Sequence, residues 1–186
     1  MASARAELLP GLAVSGSSAE ISPCGGYRYR LERRWDGNEG GQYGLWIMLN
    51  PSTADAVTND ATIKRCIALS RRWGWPALVV VNLFAWRATE PKELRKVPDP
   101  IGPQNDVFIC DAARGARSIV VAWGANGSFR NRDLDVVQML KERGHTLLCI
   151  AGYKPGVARH PLYERADSQT DEFAFVDSYK ERPEMP

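Results

Sequence analysis

Two histidines, His145 and His160, are all the chain has among 186 residues, and a multi-histidine metal centre is excluded by that count. Its four cysteines, Cys24, Cys66, Cys110 and Cys149, lie far apart. None makes the close spacing of a zinc knuckle or a dithiol redox motif, so free thiols in a reducing compartment are expected. Cys149 sits in the apolar run LLCIA and reads as a core residue. No apolar run approaches the ~20 residues a membrane span needs; runs such as Ala77 to Val81 are strand-sized. The start, MASARAELLPGLAVSG, lacks the basic head and long apolar centre of an export signal, and a cytoplasmic location is expected. Neither GxxxxGK[ST] nor GxGxxG occurs, which removes the P-loop and the common dinucleotide fingerprint. No two carboxylates are specified as the acid and base of a glycoside hydrolase.

With 44% hydrophobic and 25% charged residues, the composition is that of one ordinary globular domain. The net charge of +2 is uneven: the segment from Glu164 onward carries −4, leaving +6 on residues 1–163. Arginine outnumbers lysine eighteen to six. The guanidinium fork suits phosphate, although many arginines simply solvate helix faces.

Residues 1–20 read as a flexible arm, 21–165 as a single α/β domain and 166–186 as an acidic tail. Tyr27 to Trp35 alternates as a half-exposed strand with arginines mostly outward. DGNEGG is turn chemistry, and Tyr43 to Leu49 reads as a second strand paired to the first in a hairpin. Asp60 is placed as the N-cap of a helix carrying Ile63, Cys66, Ile67 and Ser70 on one face and ending at Gly74. Buried strands are expected at Ala77 to Phe84, Ser118 to Gly124 and His145 to Gly152, with helices at Asn105 to Arg114 and Asn131 to Arg143. The expected fold class is α/β: a three-layer α/β/α arrangement with a central, mainly parallel four-stranded sheet plus an N-terminal antiparallel hairpin strand.

In such sheets ligands bind beyond the carboxyl ends of the strands, so the residues just after each strand carry the functional information. Four polar clusters follow the strands. The first holds Asn50, Ser52, Thr53 and Asp55; the second Asn82 and Arg87; the third Trp123 and Asn126; the fourth Lys154, Arg159 and His160. Asn50 before a proline makes either an Asx-turn or a site group. An amide closing the Val79-Val80-Val81 run must find a partner, and Asn82 has the donors and acceptor to read a planar base. Asp55 is placed to orient a water or bind a hydroxyl, and Asp60 only to cap its helix. Trp123 is either packing or stacking. Arg87 and Arg159 are either surface charges or phosphate contacts. His160, in RHPLY, lies outside any apolar periodicity and suits a donor to developing negative charge.

These motifs carry two resemblances. LNPSTAD, VVVNLFA, WG and RHPLY, in that order, resemble a bacterial and phage family known as domain of unknown function 1643, over roughly Tyr27 to Tyr163. More remotely, the order of motifs is similar to the uracil-DNA glycosylase superfamily. The matching pieces are Leu49-Asn50-Pro51, Val79 to Asn82, Val120 to Gly124 and His160-Pro161. That second resemblance implies a glycosylase-like fold with no cofactor. It implies that Asn50 positions a water, Asn82 bonds the base edge and His160 stabilises the departing base. Three positions depart from the superfamily pattern: Met48 where a glycine stands, Asn50 in place of an acid, and Leu162 in place of a serine.

Three functions follow as expectations. One is an N-glycosidase acting on a base in a nucleotide or nucleic acid. The second is a silent relative that binds a nucleobase, nucleotide or nucleic acid. The third is a structural protein whose rim residues only cap strands. No membrane partner is expected.

Overall fold

The computed structural model describes residues 14–35, 37, 41–52, 54–151 and 158–174. The described elements run in the order β1 (Gly16–Ile21), β2 (Arg28–Arg34), β3 (Tyr43–Met48), α1 (Ala61–Arg72), β4 (Ala77–Asn82), α2 (Asn105–Gly115), β5 (Ala116–Val121), α3 (Arg132–Lys141), β6 (Leu147–Ile150) and β7 (Thr170–Glu172). They build an α/β fold on one mixed sheet of seven strands, ordered β1-β2-β4-β3-β5-β6-β7. The four inner neighbours β4, β3, β5 and β6 run parallel, and β1, β2 and β7 join antiparallel. Among the described residues, one isolated bridge lies beyond these strands, Tyr27 to Trp86.

The inner strands alternate faces with period two, so each apolar run serves two cores. Leu45, Ile47, Val79, Val81, Ile119 and Val121 pack with Ile109 of α2 and Val136, Val137 and Leu140 of α3. Trp46, Met48, Leu78, Val80 and Val120 pack with Ile63, Cys66, Ile67 and Leu69 of α1. Helix α1 begins as expected: the Asp60 side chain accepts from Ile63 N–H at 2.8 Å. It closes before Gly74, whose φ of +72° suits glycine. Cys149 is a buried core residue.

Several expectations are corrected. The first two expected strands do not form a hairpin. β4 lies between them, pairing antiparallel with β2 and parallel with β3. The reason is burial: all six residues of β3 are buried, so that strand needs a neighbour on each side and a helix over each face. From the end of β2 at Arg34 to the start of β3 at Tyr43, the chain passes one intervening strand, about 10 Å. The expected arm contains β1, which pairs along β2 from Gly16↔Arg34 onward. The expected tail contains β7, paired with β6. Residues 1–13 and 175–186 of those two segments lie outside the described residues. The expected outward arginine face of β2 is largely buried: Arg28 and Arg34 are 3% and 7% exposed and Arg30 is half-buried, while Arg33, on the apolar side, is 0% exposed.

Arg33 shows what a buried guanidinium does in this fold. Its Nε donates to Asn59 Oδ1 at 2.8 Å, and its terminal nitrogens donate to the carbonyls of Ser18, Glu32, Asp55 and Thr58. It pins the loop between β3 and α1 to the outer sheet. The burial cost of the cation is met by neutral acceptors that saturate it.

Candidate functional site

The path of the chain fixes where a ligand can sit. From β3 it crosses through α1 to β4 on one side, then returns through α2 to β5 on the other side of β3. The crevice at such a reversal, beyond the carboxyl ends of the strands, is where open α/β sheets bind ligands. A cleft of about 980 Å³ lies there. Asn50 follows β3, Asn82 closes β4, Trp123 follows β5 and His160 lies on the segment after β6; all four line it.

Each wall is held by specific bonds. Asn50 Nδ2 donates to the carbonyls of Ala88 at 2.7 Å and Pro51 at 3.0 Å. Both amide hydrogens are committed, so the Asn50 amide presents Oδ1, an acceptor. Asn82 is 2% exposed, and its Oδ1 accepts from Arg28 at 3.4 Å. Its backbone carbonyl and that of Leu83 both accept from Asn105 Nδ2 at 2.9 Å, and Arg132 Nε also donates to Leu83 at 3.0 Å. Two buried side chains from α2 and α3 thus shape the exit of β4. With Oδ1 held by the guanidinium, Asn82 has its Nδ2 donors to offer.

His160 caps the short 3-10 turn Pro161–Tyr163: its Nδ1 accepts from Leu162 N–H at 3.4 Å. An accepting Nδ1 leaves the proton on Nε2, which makes the neutral ring a donor. Burial holds the imidazole below its ordinary value, opposed by the field of Asp60. The segment docks on the β5 exit through Gly124 N–H, which donates to Ala158 at 2.6 Å. Gly124 has φ of +73°, the left-handed conformation that glycine adopts without strain, which serves the turn.

The remaining expected residues divide. Ser52, Asn126 and Arg159 line the cleft. Arg159 Nε pairs with the buried Glu164 carboxylate at 2.8 Å. Trp123 lines it too, but is 3% exposed and packs edge-on against Phe173, so its role is mainly core. Asp55 and Arg87 are not among the lining residues. Asp55 Oδ1 accepts from the N–H groups of Val57 and Thr58, both at 2.8 Å, an Asx-type turn that spends the carboxylate on its own loop. These bonds to the ionised form hold Asp55 below the usual carboxylate range. Arg87 instead donates to the carbonyl of Gly25. Thr53 and Lys154 lie outside the described residues.

Among the polar lining residues, the sequence reading missed Arg28, Thr62, Thr89, Ser128 and Asp133. Asp60 was read as a cap alone, yet one of its oxygens caps while the residue also lines the cleft. Tyr163 is 75% exposed and offers a flat ring at the edge of the cleft. Arg28 carried no signal, because its strand alternation pointed outward. Among the described residues no group of three or more His, Cys, Asp or Glu could hold a metal ion, and no helix is long and apolar enough to cross a membrane.

The fold and site define an α/β protein on a mixed seven-stranded sheet, with a polar cleft at the carboxyl ends of its inner strands. The sequence model of the family described as protein of unknown function (DUF1643) matches residues 28–162, and the chain belongs to that family. The matched span starts at cleft residue Arg28 and runs past His160. No curated protein and no solved structure matches the chain.

Proposed function

We propose that the cleft takes a nucleobase, free or within a nucleotide or nucleic acid, and that the protein is an N-glycosidase on a three-layer α/β/α framework like that of uracil-DNA glycosylases. One observation carries the reading: Asn50, Asn82 and His160, far apart in the chain, line one cleft of about 980 Å³. That volume sits at the upper end of the ~300–1,000 Å³ of small-molecule sites, which accommodates a nucleotide.

The roles follow from the donor and acceptor that each group has left. Asn82 offers Nδ2 to a ring carbonyl or unprotonated ring nitrogen. Neutral His160 offers Nε2–H to negative charge growing on the base. Asn50 Oδ1 accepts from a water and orients it. In the reaction the water oxygen bonds to the anomeric carbon and the carbon–nitrogen bond breaks, its electron pair leaving with the base. Asp60 contributes negative charge facing the oxocarbenium-like sugar and takes the proton the water sheds. Donors fixed beforehand where charge develops lower the barrier without cofactor chemistry.

A second reading, a binding module without turnover, is favoured by Asn50 itself, since an amide cannot take a proton from water. The deciding experiment incubates the protein with free nucleotides and with oligonucleotides carrying uracil and other modified bases. Released base is measured chromatographically, and melting is followed with the same ligands. Base release lost in Asn50→Ala, with binding kept, supports the enzyme. Thermal stabilisation without release, lost most in Asn82→Ala, supports the module. No release and no stabilisation by any of them refutes both.

A further inference from the structure

Arg28 and Arg33 lie five residues apart on β2, and both are almost wholly buried. Their environments differ. Arg33 engages all three guanidinium nitrogens and does not line the cleft. Arg28 lines the cleft and makes two bonds, one terminal nitrogen to the carbonyl of Ala54 at 2.7 Å and the other to Asn82 Oδ1 at 3.4 Å. Its Nε is buried with no acceptor. An arginine has five N–H donors, so a majority of those on Arg28 are unspent. Among the described residues no carboxylate comes within ion-pair distance of it.

A buried cation without a counter-ion is costly, and it stays in a fold where something else offsets it. Burial brings the Arg28 guanidinium down to about 10, opposed by the longer-range fields of Asp60 and, less strongly, Asp55. The two carboxylates lining the same cleft are tied to helix starts. Asp60 Oδ1 accepts from Ile63 N–H at 2.8 Å, and Asp133 Oδ1 from Leu134 N–H at 3.0 Å. Among the described residues the cleft supplies Arg28 with no carboxylate at ion-pair distance.

We infer that the ligand of this cleft carries an oxyanion, a carboxylate or a phosphate, which Arg28 holds beside the edge read by Asn82. The guanidinium is the one charged group of that shape that can bind such an oxyanion through paired donors. The inference deepens the nucleobase reading by naming a charged substrate: a nucleotide, or a heterocycle bearing an acid group. It rests on that reading for the base and on Arg28 alone for the charge.

The test is calorimetric titration of the full chain with matched pairs: uracil and orotate, uridine and uridine 5′-monophosphate, adenosine and adenosine 5′-monophosphate, and inorganic phosphate alone. The anionic member of at least one pair should bind roughly ten- to a hundredfold more tightly, as one charge-assisted contact predicts. Orotate separates a ring carboxylate from a nucleotide phosphate. Arg28→Met should erase the preference and Arg28→Lys retain part of it. Because Arg28→Met removes two structural bonds, Asn82→Asp provides a second variant, placing a carboxylate against the same guanidinium and occupying it. Equal binding of neutral and anionic members, or a preference that survives in Arg28→Met or Asn82→Asp, overturns the inference and leaves the nucleobase reading intact. Inorganic phosphate binding lost in Arg28→Met, without any binding of bases or nucleosides, keeps the inference and removes the nucleobase. Binding of none of the probes overturns both.

Discussion

Asp60 does two jobs with one carboxylate, and substituting it separates them. Its Oδ1 caps α1 through Ile63 N–H at 2.8 Å, and the residue also lines the cleft. Asp60→Ala removes the cap and the charge. Losing an N-cap acceptor costs about 1 kcal/mol, within a range of roughly 0.5–2. For a chain of this size, 1 kcal/mol lowers Tm by about 2–4 °C. Asp60→Asn keeps an oxygen of the same reach, so its cap persists. It forfeits only the charge near the helix N-terminus, about 0.3–1 kcal/mol. The alanine variant should therefore melt earlier than the asparagine variant by a degree or more. Base release should behave otherwise. On the proposed N-glycosidase reading, both variants lose the negative charge assigned to face the sugar and should lose roughly a hundred- to a thousandfold in rate, the cost of one well-placed electrostatic group. Thermal melting by circular dichroism gives the first quantity and chromatographic base release the second. An Asp60→Asn protein with wild-type turnover refutes the chemical role. An Asp60→Asn protein as unstable as Asp60→Ala refutes the cap through Oδ1.

Two further outcomes are expected. Burial holds His160 below its ordinary 6.5, so as pH falls the unfolded chain takes up that proton before the folded one does. Stability measured by denaturant titration should be level above pH 6.5 and decline below it toward the folded value, a decline that His160→Asn abolishes, while the neutral donor keeps base release level through pH 6.5. At Gly127, a Cβ would stand 2.1 Å from Trp123 Cδ1. Gly127→Ala should cost about 1–3 kcal/mol by forcing the indole aside, and should weaken ligand binding because Trp123 and its neighbours line the cleft. Unchanged melting would show that the ring is free to move.

The sequence revealed elements where local pattern and tertiary demand agree. The Asp60 cap, the Gly74 stop and the Val79-Val80-Val81 run are each decided by neighbours in the chain, and each lies where expected. Pairing partners were not legible in the same way. Turn residues after β2 indicated a hairpin, but the wholly apolar β3 required a central position, and β4 took the place beside β2. β1 and β7 were read as arm and tail because polar edge strands, with patterns such as Gly16-Ser17-Ser18-Ala19-Glu20, have the composition of loops. For the site, the rule that ligands meet the strand ends gathered Asn50, Asn82, Trp123, Asn126 and His160 at one cleft. It misplaced Asp55, whose carboxylate is satisfied within its own turn, and Arg87, held to the Gly25 carbonyl. Arg28 escaped because alternation assigns a strand arginine to water, whereas a guanidinium with main-chain acceptors in reach can be buried.

Arg33 bears on how the pocket and the sheet margin behave together. Its guanidinium reaches one way to Ser18 on β1 and the other way to Asp55, Thr58 and Asn59, the turn that leads in the chain to the cleft residue Asp60. Peeling the outer strands away therefore unfastens the turn that leads into Asp60. Fraying of that margin is thereby linked to the turn before Asp60, and a ligand held in the cleft would oppose it.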